Sequence, residues 1–130
     1  LKYLESWTEG RRAAAARYDK LLAGSEYATP VELAHNRHVY HVYAIRCTNR
    51  LKLQESLQEQ GVSSGIHYPT PVHMLPAHAD LGYKQGQFPH AERAAAEVLS
   101  LPMFPEISEQ QTSQVAEALL SAKIPTSAIG

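Results

Sequence analysis

The 130-residue chain carries 12 basic and 13 acidic residues, a formal net charge of −1, with no like-charged block, which excludes the basic patch of a nucleic-acid binder or of an anionic-membrane binder. Its 44% apolar and 19% charged residues exclude a disordered chain; no apolar run is long enough to cross a bilayer, and no signal peptide is expected. The single cysteine, Cys47, excludes an internal disulfide and is expected to be a small buried hydrophobe, in a protein expected in the cytoplasm.

Residues 1–23 are expected to form one amphipathic helix. Leu4, Trp7, Arg11, Ala14, Tyr18, Leu21 and Leu22 recur at helical spacing, the Ala13–Ala16 run favours helix, and Gly24 stops it. Gly10 is an interior glycine that works against it. The chain begins at Leu1, and this helix has no capping residue before it, so a fragment of a longer polypeptide is expected. Residues 24–37 follow as loop, and His38 to Cys47 as a strand rich in Val, Tyr and Ile. Val39, His41, Tyr43 and Ile45 would share one of its faces.

Thr48 or Asn49 can cap a helix over about 49–60, stopped by Gly61. Val62 to Tyr68 is expected as a second strand running into a stiff loop that holds Pro69, Pro71 and Pro76. A helical turn over 76–81, a helix over 90–99 and a short strand over 99–101 come next. Ser108 caps a last helix over about 109–122, with Gln111 as its capping-box partner. Ile107, Val115, Leu119 and Leu120 would face the core. The order predicts an α+β fold, a small mainly antiparallel sheet packed with helices. The domain would span 1–123, with 124–130 as a frayed tail.

The densest chemistry lies in Gly65-Ile66-His67-Tyr68-Pro69-Thr70-Pro71-Val72-His73. A histidine and a tyrosine delivered at a strand end can exchange hydrogen bonds with a polar, uncharged ligand such as a sugar, or can pair structurally to hold the proline loop. Arg46 and Arg50 could receive a phosphate or carboxylate, or could serve the helix beside them. The seven histidines match no zinc spacing, so no metal site is expected. The seven tyrosines place several polar-tipped rings at a wet cleft or interface.

Several segments together resemble the nucleotide-sugar aminotransferases of the DegT/StrS type. They are the helix Leu4-Glu5-Ser6-Trp7 with Arg11, Arg12, Ala16, Arg17 and Tyr18; the run His38 to Arg46; Gly65-Ile66-His67-Tyr68-Pro69 with Pro71-Val72-His73; Leu81-Gly82-Tyr83; Phe88-Pro89 with Ala91-Glu92; and Leu99 to Pro105. The likeness runs over about residues 1–122. It implies the C-terminal small domain of a fold type I aminotransferase, which closes over substrate. It also implies a large cofactor domain of roughly 240 residues before Leu1, a homodimer, and transfer of an amino group, usually from glutamate, to a keto group of a nucleotide-linked sugar.

The implied cofactor is pyridoxal phosphate, held by a lysine of the large domain. Lys2, Lys20, Lys52, Lys84 and Lys123 fall outside the matching context, so no catalytic, cofactor-binding or metal-binding residue is expected here, and the fragment alone is expected to be inactive. Carried over, His67 and Tyr68 are substrate-binding residues that position the nucleotide sugar. His78 and His90 depart from the family's tyrosine and valine. The Pro71-Val72-His73 wording leans toward amination of a 3-keto over a 4-keto sugar. The alternative is a non-catalytic sugar-nucleotide-binding or dimerisation module sharing the fold.

Overall fold

In the computed structural model, which describes residues 1–122, helix α1 (Leu4–Leu21) opens the chain. Its buried face is built from small side chains and one ring: Thr8, Ala14, Ala15 and Tyr18, continued by Leu22. Alanine adds no bulk, so α1 comes close to the last helix, α4 (Glu109–Ser121). Leu4, Trp7 and Leu21, expected on the buried stripe, are exposed; the tight alanine seam rotates them off the core.

Gly10 has a definite use. A Cβ there would meet the Pro105 backbone, 3.0 Å from its carbonyl carbon and 3.1 Å from its Cα. The helix propensity lost at glycine, about 1 kcal/mol, is thus exchanged for contact with the turn after residue 102.

Strand β1 (Tyr43–Arg46) pairs antiparallel with β2 (Val98–Leu101), with Tyr43 opposite Leu101 and Ile45 opposite Leu99. Isolated antiparallel bridges extend the layer on both sides, Ala28 to Arg46 and Gly65 to Ser100. The α+β, antiparallel expectation therefore holds.

Two strands are shorter than the sequence suggests. The run from His38 becomes strand only at Tyr43. The carbonyls of His38 and Val39 accept from Arg12 Nη1 (2.7 Å) and Arg11 Nε (2.8 Å) instead of from a ladder. Tyr40 then turns the backbone at φ 44°, and Val39 and His41 stay exposed. Residues 62–68 form no strand beyond the Gly65 bridge. The Ser64 carbonyl accepts from Gln54 Nε2 at 3.0 Å, and Pro69 and Pro71 have no N–H to offer.

Helix α2 (Arg50–Glu59) buries Leu53 and Leu57 against α4 and β2 and ends before Gly61, whose φ of 75° suits glycine. Two 3₁₀ turns, Val72–Met74 and Pro76–Leu81, occupy the proline loop, and helix α3 (Pro89–Glu97) leads into β2. The Ser108–Gln111 capping box is present in full at the start of α4. Ile107, Val115 and Leu119 are buried as expected, but Leu120 is exposed, one step off the α4 face that α1 and α2 cover.

Tyr18, Tyr27, Tyr40 and Tyr43 belong to the core, not to a wet surface. Three of the four have hydroxyl partners inside. Tyr18 Oη donates to Pro102 O at 2.9 Å, Tyr27 Oη to Leu119 O at 3.0 Å, and Tyr43 Oη to Asp19 Oδ1 at 2.5 Å. Burial pushes the Tyr27 phenol up to about 12. Tyr3, Tyr68 and Tyr83 are the tyrosines left exposed. The expected tail, 124–130, lies outside the described residues.

Candidate functional site

The sheet edge next to β2 positions the first candidate residue. Ser100 N donates to Gly65 O at 2.7 Å, and Gly65 N to Ser100 O at 3.0 Å. That bridge fixes where the chain leaves the sheet, and His67 follows two residues on. The His67 ring folds back over Gly65 and brings its Nδ1 to 3.0 Å from Ser100 Oγ. The ring edge belongs to a cleft of about 270 Å³, with His41, Ser63, Ser64 and Ser100 as its polar wall. Hydroxyls and imidazoles, without carboxylate or guanidinium, suit a neutral hydroxylated ligand.

Tyr68 joins His67 through a cis peptide bond, and their rings meet edge to face, with centroids 5.7 Å apart at 82°. Tyr68 is 75% exposed and lies outside the His67 cleft. The structure therefore brings the pair together as rings but gives only His67 an anchored position.

A second cleft, of about 380 Å³, lies past the proline loop, between Pro69, Pro71, Met74 and α3. Glu92 organises its rim. Its carboxylate accepts from Gly86 N at 2.8 and 2.9 Å and from Phe88 N at 3.2 Å, and lies 3.0 Å from His73 Nε2. These bonds, those from Gly86 above all, hold its carboxyl below the usual carboxylate range. His73 and Tyr83 both pack on Phe88, with centroids 4.7 and 5.1 Å away. Sequence reasoning gave Glu92 no role. The signal was a carboxylate in the first turn of a helix that follows a glycine loop, where backbone N–H groups gather.

Arg46 and Arg50 serve the helix beside them. Arg46 pairs with Glu97, with Nε 2.8 Å from Oε2, and Arg50 Nη1 donates to the carbonyls of Ala95 and Val98 at the end of α3. Cys47 is buried, its Sγ 3.6 Å from Glu97 O, and burial pushes its thiol up to about 11. Lys2, Lys20, Lys52 and Lys84 are all exposed, and none lines either cleft; Lys123 lies outside the described residues. Among the described residues no three His, Cys, Asp or Glu side chains gather as a metal site.

The loop before β1 is fastened to α1 by charge. Arg12 Nη1 lies 2.6 Å from Glu32 Oε1, which also accepts from His38 N at 2.7 Å. Arg37 bridges Glu5 and Glu9. The Arg12 bond is the main cause that holds the Glu32 carboxyl below its ordinary range.

Comparison with known proteins gives the family of the chain. Residues 1–120 match the model of the DegT/DnrJ/EryC1/StrS aminotransferase family. The chain is 48% identical to a "Pleiotropic regulatory protein" of Geobacillus stearothermophilus, over 90% of this chain and 32% of that one. It is 37% identical to the dTDP-3-amino-3,4,6-trideoxy-alpha-D-glucose transaminase of Streptomyces venezuelae, over 92% and 32% respectively. The crystal structure of S. venezuelae DesV in complex with a ketimine intermediate superposes with a TM-score of 0.89 at 35% identity, covering 96% of this chain and 34% of that one. The chain thus spans about a third of the length of the relatives it matches. With a family match over nearly every described residue, the chain belongs to the DegT/DnrJ/EryC1/StrS aminotransferase family.

Proposed function

We propose that this chain is the C-terminal part of an enzyme that moves an amino group, from glutamate, to the keto group of a nucleotide-linked sugar, with His67 and Tyr68 contacting that substrate. The observation that carries the proposal is the anchored His67 ring at the lip of a polar, uncharged cleft, in a chain of this family. Imidazole and hydroxyl groups match sugar hydroxyls in donors and acceptors. Tyr68, beside it and exposed, can close on the ligand from the solvent side. The name of the 37% identical transaminase places its amino group at carbon 3, which favours a 3-keto sugar here too.

The family uses pyridoxal phosphate, which supplies the electron sink for amino transfer when bound. In this reading the residues of this chain do not anchor it. Lys2, Lys20, Lys52 and Lys84 line neither the His67 cleft nor the Glu92 cleft. In this reading the anchoring lysine belongs to a large domain before Leu1. The role of the present residues is to bind and orient the sugar substrate as the small domain, residues 1–123. The full-length protein is a cytoplasmic homodimer in this reading, with no part for nucleic acid or membrane. No helix among the described residues is long and apolar enough to cross a membrane.

A second reading rests on the regulatory name carried by the 48% identical relative: a non-catalytic module that binds a sugar nucleotide. One experiment separates the two. The full-length protein, supplied with pyridoxal phosphate, glutamate and a nucleotide-linked 3-keto sugar, should form the amino sugar. Binding of the nucleotide sugar without turnover would favour the module instead.

A further inference from the structure

His67 does not find its place alone. Three features of Gly65 and Ser100 define the place of its ring. The Gly65–Ser100 bridge, with both backbone bonds made, sets the distance between the β2 edge and the chain that carries His67. Ser100 Oγ then holds Nδ1 at 3.0 Å. Ser100 is 5% exposed and is the polar member of an otherwise apolar strand, Val98-Leu99-Ser100-Leu101. A serine there is worth its desolvation only if its hydroxyl is used. The third element is the missing side chain of Gly65. A Cβ at that position would fall 2.8 Å from His67 Cε1, 3.5 Å from Nδ1 and 3.6 Å from Nε2. The nearest atoms it would meet are those of the His67 ring. Gly65 also lacks the positive φ that would demand glycine for the backbone. Glycine leaves the imidazole the place it occupies, and a Cβ would push the ring away from Ser100.

We propose that Ser100 and Gly65 are positioning residues for His67, one fixing its Nδ1 and the other clearing the space it occupies, so that Nε2 is the nitrogen left for the sugar nucleotide. The inference rests on the proposed substrate role of His67. Among the described residues nothing bonds Nε2, while Nδ1 is taken. With one ring nitrogen held by a hydroxyl, the ring orientation is set before substrate arrives.

The test is a set of double-mutant cycles in the full-length protein, reading KM for the nucleotide sugar and kcat separately. Ser100→Ala and Gly65→Ala should each raise KM about tenfold, the size of one misplaced hydrogen bond, with a smaller change in kcat. Neither should add to the effect of His67→Ala, because the ring they act on is then gone. Gly65→Ala carries the test even if Ser100→Ala folds poorly, since its clash disappears with the imidazole. If His67→Ala raises KM while Ser100→Ala and Gly65→Ala leave it unchanged, the positioning role is wrong and the substrate role stands. Equal losses in the presence and absence of the His67 ring would make both residues merely structural and overturn the proposal. An unchanged KM in His67→Ala would remove the substrate reading and this inference with it.

Discussion

The Cα of Gly10 faces the backbone of Pro105 so closely that a Cβ would sit 3.0 Å from the Pro105 carbonyl carbon. The atoms it would meet are main chain, held by the turn at residues 104–107 and by Tyr18 Oη on Pro102 O. Gly10→Ala should therefore destabilise the chain although alanine is the better helix former. Overpacking costs about 1–3 kcal/mol against a propensity gain of about 1 kcal/mol. A urea titration followed by circular dichroism should show a lower midpoint. A higher midpoint would mean that the α1–Pro105 approach is looser than described.

Ser108→Ala removes one half of the capping box and should cost about 1 kcal/mol, read as a lower urea midpoint at unchanged slope. This feature was fully legible beforehand, because a capping box is a local contract between residues three apart. The same holds for the helix stops at Gly24 and Gly61. What was not legible depends on partners distant in sequence. The strand expected from His38 was cut short by arginines of α1, some 26 to 28 residues earlier, which took the carbonyls of His38 and Val39. The strand expected over 62–68 shrank to one bridge, at Gly65, because Gln54 takes the Ser64 carbonyl and Pro69 and Pro71 have no N–H. Within the site, His67 and Tyr68 stood out as a chemically dense pair. Ser100 did not, since a lone serine in an apolar run has no local signature. Its meaning appears only when Gly65 and His67 are folded against it.

Glu92 gives a pH prediction. Its folded-state carboxyl lies below the ordinary range, chiefly through the Gly86 N–H bonds. The stabilisation it gives the 84–88 loop is therefore complete above the ordinary carboxylate pKa, near 4.3, and is lost as pH falls through the lower folded value. The amide signals of Gly86 and Phe88 in NMR should titrate together, at a pH below the ordinary carboxylate pKa. Glu92→Gln should abolish that titration. Amides that titrate at the ordinary value, or not at all, would show that Glu92 does not hold the loop.

Cys47 should be inert. Burial pushes its thiol up to about 11, so little thiolate exists near neutrality. Alkylation by iodoacetamide at pH 8 should be slow in the folded chain and become fast on addition of denaturant. Fast labelling of the folded protein would place the thiol at the surface.

The central claim, that His67 and Tyr68 belong to the substrate site of a sugar aminotransferase, is tested most directly by steady-state kinetics of the full-length protein and its His67→Ala and Tyr68→Phe variants. Glutamate would serve as amino donor and a nucleotide-linked 3-keto sugar as acceptor. The account predicts that His67→Ala raises KM for the nucleotide sugar about tenfold, that Tyr68→Phe raises it less, and that the absorbance of the bound cofactor is unchanged in both. Unchanged kinetics in both variants would contradict it and leave the pair a structural clasp for the proline loop.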